Sequence, residues 1–150
     1  MDAKNEVPQV EPREPDSSSG WAGIRRVLFV LLSGAIGLVG GCLNGATYGG
    51  NYAPDFSFLG QPGYEGSGLM GAIVSAASIL VIAGLSIGLL RRGSAALSII
   101  GALLAISFAP SAFYTMIAPS EGLFALSFIG SAILGALIGA ALGLLIPDSD

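Results

Sequence analysis

Hydrophobic residues in this chain fall into four long runs, at about Val27 to Tyr48, Gly68 to Leu90, Ser94 to Ile117 and Gly122 to Ile146. None of the runs contains Asp, Glu, Lys or Arg. Crossing about 30 Å of hydrocarbon takes roughly 20 helical residues, so each run is long enough to span a bilayer, with some length to spare for tilt. The runs show no alternation of polar and apolar residues and are about twice as long as a barrel strand, which argues against a transmembrane β-barrel. Inside lipid a backbone must pair its own polar groups, and a helix does so within one segment. The pattern therefore predicts an all-α membrane protein, a four-transmembrane-helix bundle.

The polar segments between the runs set the expected organisation. Residues 1–20 carry Pro8, Pro12 and Pro15 among acidic and small polar residues, with almost nothing to build a core, and read as a disordered cytoplasmic tail. A transmembrane domain follows over 21–147, then a short tail over 148–150. Trp21, Arg25 and Arg26 stand where the chain enters the membrane: an amphipathic ring for the headgroups and two basic side chains for the inner face. Lys4, Arg13, Arg25 and Arg26 precede the first run, and Arg91 and Arg92 fill the link between the second and third. Only an orientation with both termini inside puts all six on the cytoplasmic side, so N-in/C-in is expected. The first outer loop, 49–67, has aromatic residues at 52, 56, 58 and 64 among Gly and Pro, and reads as an irregular segment against the headgroups. In the second outer loop Ser120 is placed to cap the fourth helix, with Glu121 near the positive end of its dipole.

Composition agrees with lipid as the solvent: 53% of residues are hydrophobic and 11% charged, against roughly a quarter charged in a typical soluble domain. The net charge of −4 without clustered basic residues leaves no footprint for nucleic acid. The chain has no histidine and a single cysteine. That removes the commonest general base and metal ligand and any intrachain disulfide, so no catalytic residue, metal ligand or cofactor site is expected. Proton-coupled and ion-coupled transport, voltage sensing and intramembrane proteolysis all use charged or paired groups at depth, and the runs carry none.

What the runs do carry is small residues at every fourth position. Ser33, Gly37, Gly41, Gly45 and Gly49 form one such stripe in the first run, and Ser127, Ser131, Gly135, Gly139 and Gly143 form another in the fourth. Residues four apart share a helix face, and in lipid it is close backbone approach over small residues that lets helices associate. Both stripes are expected to be contact faces of the glycine-zipper kind, within the bundle or with another chain. Weaker versions occur at Ala72, Ala76, Gly84 and Gly88, interrupted by Leu80, and at Gly101, Ala105 and Ala109.

Three single residues interrupt the apolar pattern. Asn44 is an amide inside a span and is expected to hydrogen-bond a neighbouring helix. Pro110 removes a backbone donor inside the third helix and predicts a kink there, with Ser107 and Ser111 placed to satisfy the freed groups. Cys42 ends a stretch, RRVLFVLLSGAIGLVGGC, that resembles a bacterial lipoprotein signal peptide and would make Cys42 the lipidated residue. The long acidic region before it, Gly40 two residues ahead of the cysteine and the apolar residues that continue beyond favour an uncleaved helix.

The two halves of the chain also echo each other. Arg25-Arg26 and Arg91-Arg92 open them, Gly34-Ala35 and Gly101-Ala102 follow, and Tyr48 and Tyr114 fall near the outer ends. A duplicated helical hairpin is one reading, and Gly/Ala/Leu-rich sequence matching itself is the other. Taken together, the residues lead to a non-catalytic accessory or assembly subunit, or a self-associating scaffold, acting through small-residue helix packing. Its expected partners are the lipid bilayer and either a second copy or another membrane protein, and its expected place is a bacterial cytoplasmic membrane, crossed several times. The alternative reading is a transporter or pore for a neutral or apolar solute.

Overall fold

A computed structural model describes residues 18–90, 92–114 and 121–145. The tail before Ser18, the capping position Ser120 and the C-terminal tail lie outside the described residues. The chain is almost all helical: α1 (Ser18–Asn51), α2 (Gly63–Leu89), α3 (Arg92–Tyr114) and α4 (Glu121–Leu145). All four helices are long and apolar enough to cross a membrane, over Gly23–Asn51, Gly63–Leu89, Arg92–Pro110 and Leu123–Leu145. This is the architecture of a multi-pass membrane protein. Large apolar side chains such as Leu32, Val39, Leu43, Val81, Leu104 and Leu137 point outward, as lipid-facing positions do.

Helix ends differ from the edges of the apolar runs. The first helix starts at Ser18, so Trp21, Arg25 and Arg26 are helical rather than part of an approach segment. Its 34 residues make a rod about 51 Å long at 1.5 Å per residue, well beyond the thickness of the hydrocarbon. A lipid-scale hydropathy pattern marks only the part of a helix that sits in hydrocarbon, and α1 continues past it. Similarly α2 begins at Gly63, five residues ahead of its apolar run.

The first outer loop is ordered, contrary to the irregular segment expected. Ser57–Phe58 and Gln61–Pro62 pair as a small antiparallel hairpin. Its turn residues Leu59 and Gly60 both have positive φ, 52° and 80°, the combination that matches the twist of a two-residue hairpin turn. The amide of Gly63 donates to the Phe56 carbonyl at 2.6 Å and ties the hairpin to the start of α2. Phe56 is 6% exposed and meets Phe124 edge-on, with centroids 6.1 Å apart. It is therefore a core side chain and does not lie among headgroups.

The core runs along one face of α4. Phe124, Phe128, Ala132 and Ala136 recur every four residues and pack with Tyr48 of α1, Ile79 of α2, and Ala102 and Ile106 of α3. Tyr48 stacks on Phe124 at 4.4 Å, and Phe124 meets Phe128 edge-on at 5.1 Å. The aromatic residues thus fill the end of the bundle beneath the hairpin, and small residues fill the rest.

Candidate functional site

The small-residue stripe of α1 lies against α2. Gly41, Gly45 and Gly49 stand opposite Gly71, Ser67 and Gly63, and Gly37 faces Ser75 and Ile79. A methyl group added to Gly41 would overlap the Gly71 carbonyl oxygen and the Ser75 hydroxyl, and one added to Gly71 would overlap the Gly41 carbonyl. The two backbones therefore touch reciprocally at this glycine pair. Ser33 is buried on the same face, its hydroxyl donating to the Phe29 carbonyl at 2.7 Å.

The stripe of α4 lies in the same way against α3. Gly101 and Gly135 each occupy the space where the other's side chain would be, Gly139 sits on the Leu97 carbonyl, and Gly143 sits on the Cα of Ser94. Ser131 is buried in the same row, and Ser127 donates to the Phe124 carbonyl at 2.6 Å. Both stripes are thus occupied within the chain. The face of α2 that meets α1 is Ser67, Gly71, Ser75 and Ile79. Of the row expected there, Ala72 is buried, but Gly84 and Gly88 have nothing within 4 Å of an added side chain. They lie about one residue out of register, roughly 100° around the helix.

The hairpins are joined across α1 and α3 by Asn44. Its Nδ2 donates to the Ser107 carbonyl at 2.9 Å, to the Ile106 carbonyl at 3.4 Å and to the Gly40 carbonyl of its own helix at 3.1 Å. Ile106 is the residue four before Pro110, so its carbonyl is the one that proline leaves without a helical donor. The helical conformation of α3 continues through Pro110 to Tyr114. Ser107 turns its hydroxyl to the Leu103 carbonyl at 2.8 Å and takes no part in this repair; the Ser111 side chain lies outside the described residues. Cys42, about three quarters of the way along α1, is exposed on the outside of the bundle.

Among the described residues, grooves open on the outer faces of the bundle. One, of about 570 Å³, lies between α1 and α3 over Gly40, Asn44 and Ser107. Another, of about 330 Å³, follows the α3–α4 contact, with Gly101, Gly135 and Gly139 along it and Ile100, Leu104 and Ile138 among its rims. Among the described residues no three His, Cys, Asp or Glu side chains come together. No protein-family model matches the chain, and comparison with curated proteins and with solved structures gives no match.

Proposed function

We propose that the protein is a non-catalytic accessory or assembly subunit, or a self-associating scaffold, of a bacterial cytoplasmic membrane. The observation that carries this reading is the groove along α3 and α4. It follows the line where Gly101, Gly135 and Gly139 bring α3 and α4 close together, and its rims are the exposed aliphatic side chains Ile100, Leu104 and Ile138. A helix of a second chain laid there gains close packing that lipid tails supply less well, and that packing is the main source of helix association in membranes.

We further infer an N-in/C-in orientation, supported by the six basic residues of the chain all falling on one side in that arrangement. Descent of the two hairpins from one unit is supported by the sequence echoes of Arg25-Arg26 with Arg91-Arg92 and of Gly34-Ala35 with Gly101-Ala102. Photo-crosslinking in intact membranes tests the partner reading. A crosslinker at Ile100, Leu104 or Ile138 is expected to capture one defined protein, a second copy or another membrane protein, while the same group at Leu32 or Val81 captures none. Equal capture at both sets of positions, or none at the groove, would remove the support for a docking subunit.

A further inference from the structure

The two glycine contacts are staggered along the bundle. Both α1 and α3 leave the end that carries Arg25, Arg26 and Arg92, yet Gly41 lies about four turns beyond Arg26 and Gly101 only about two and a half turns beyond Arg92. The first hairpin is therefore clasped far from the arginines. Near them α1 stands away from its neighbours, and residues 23–29 are exposed. A cavity of about 560 Å³ occupies the space so left between the start of α1, the end of α2 and the start of α3.

We propose that this cavity binds one anionic phospholipid, with its phosphate on the arginines and the adjoining part of its acyl chains on the apolar wall. Arg25, Arg26 and Arg92 line it together with Phe29, Ile87 and Ile99. Among the described residues no carboxylate lies near these guanidiniums: Asp55 and Glu65 flank the hairpin loop at the opposite end, where Glu121 starts α4. The first turn of α3 opens at the same place and adds the positive end of its dipole. The last turn of α2 brings the opposite partial charge, about half an elementary charge, which three guanidiniums exceed. Planar guanidiniums bind phosphate oxygens through paired hydrogen bonds, and basic pockets between membrane helices recognise anionic headgroups in this way.

The wall separates a lipid from a free anion. A soluble phosphate would gain nothing from Phe29, Ile87 and Ile99, whereas a lipid brings chains to cover them. Exposed Trp21, one turn before Arg25, marks the headgroup level on the same face of α1. The inference rests on the helices spanning a membrane and is independent of the docking groove, which lies between α3 and α4.

The test is lipid retention by the purified full-length protein, exchanged into an equal mixture of phosphatidylglycerol and phosphatidylcholine and weighed by native mass spectrometry. Wild type is expected to keep one phosphatidylglycerol in preference to phosphatidylcholine. Replacing one arginine, as in R26Q, should cost about fivefold in retention, and replacing all three about a hundredfold. Ala96→Phe and Leu90→Trp fill the cavity while keeping every charge, and each should lose the bound lipid as well. Circular dichroism in phosphatidylcholine identifies whichever of the two stays folded. Arg13→Gln, the control for net charge, should retain lipid as wild type does. Full retention in a folded cavity-filled variant would overturn the proposal, since the arginines would then act as surface charge alone. Equal retention of both lipids by wild type would also overturn it. So would stabilisation by inorganic phosphate but not by phosphatidylglycerol vesicles, which would identify a free-anion site.

Discussion

At Gly41 the room a side chain would need is already filled by the Gly71 carbonyl and the Ser75 hydroxyl, and at Gly135 it is filled by the Gly101 carbonyl and the Ala105 methyl. Backbone cannot swing aside as the end of a long side chain can, so even alanine must push two helices apart. Gly41→Ala and Gly135→Ala should each lower stability by about 1–3 kcal/mol, as overpacking does, despite the better helix propensity of alanine. Gly84→Ala and Gly88→Ala meet open space and should be neutral or gain up to about 1 kcal/mol. Reversible unfolding in mixed micelles measures all four, and equal effects at all four would mean that close backbone contact does not hold the hairpins. Ala136 shows why a stripe alone is an incomplete guide at this scale. It lies off the glycine row of α4 but is 9% exposed, because α4 has a second buried face, the row from Phe124 to Ala136.

At the scale of elements, α3 stays helical through Pro110, and the Asn44 amide of α1 reaches the carbonyls on that turn, Ser107 at 2.9 Å and, at 3.4 Å, the Ile106 carbonyl that the proline leaves without a helical donor. Asn44→Ala removes that donor from the Ile106 and Ser107 carbonyls and is expected to cost about 1 kcal/mol, in the range of hydrogen bonds between membrane helices. Pro110→Ala restores an amide that can serve the Ile106 carbonyl, so the cost of Asn44→Ala should shrink in that background. A double-mutant cycle of unfolding free energies reads the coupling, and strictly additive effects would separate Asn44 from the proline. The four helices were legible in the sequence because uncharged runs long enough to span leave little choice of structure. The spacing of the α1 and α4 stripes was legible as well. Which helix each stripe meets was not, because the facing row on α2 mixes serine, glycine and isoleucine, and no composition rule marks it. The burial of Phe56 was hidden for a similar reason: a loop aromatic reads as a headgroup anchor until its contact with Phe124 is seen.

For the whole molecule, sidedness is the property that every proposed role depends on. Reporters that work only in the cytoplasm should be active when fused at Asp150 or in the Arg91-Arg92 link. Reporters that work only outside should be active in the turn at Leu59-Gly60, which projects from the opposite end and is exposed. External activity at Asp150 would contradict an even number of spans with both termini inside. Cys42 gives an independent check, since it is exposed on the outside of α1 within the membrane-spanning part of the helix. It should react with a membrane-permeant maleimide but resist an impermeant one in sealed vesicles, and the mature chain should still contain residue 1. A chain beginning at an acylated Cys42 would lose the part of α1 from Ser18 to Gly41, more than two thirds of the helix.

The stagger of the two glycine contacts also makes the bundle mechanically unequal from its two termini. A probe pulling on the N-terminus takes hold of α1 at its exposed, loosely packed end, where few contacts break at once, so α1 should peel away in small steps. A probe pulling on the C-terminus reaches α4 where Gly139 and Gly143 sit directly on the backbone of α3, so nothing should yield until that contact shears as a unit. Single-molecule extraction from a bilayer should record a low, sloping force trace from one end and a single high rupture from the other.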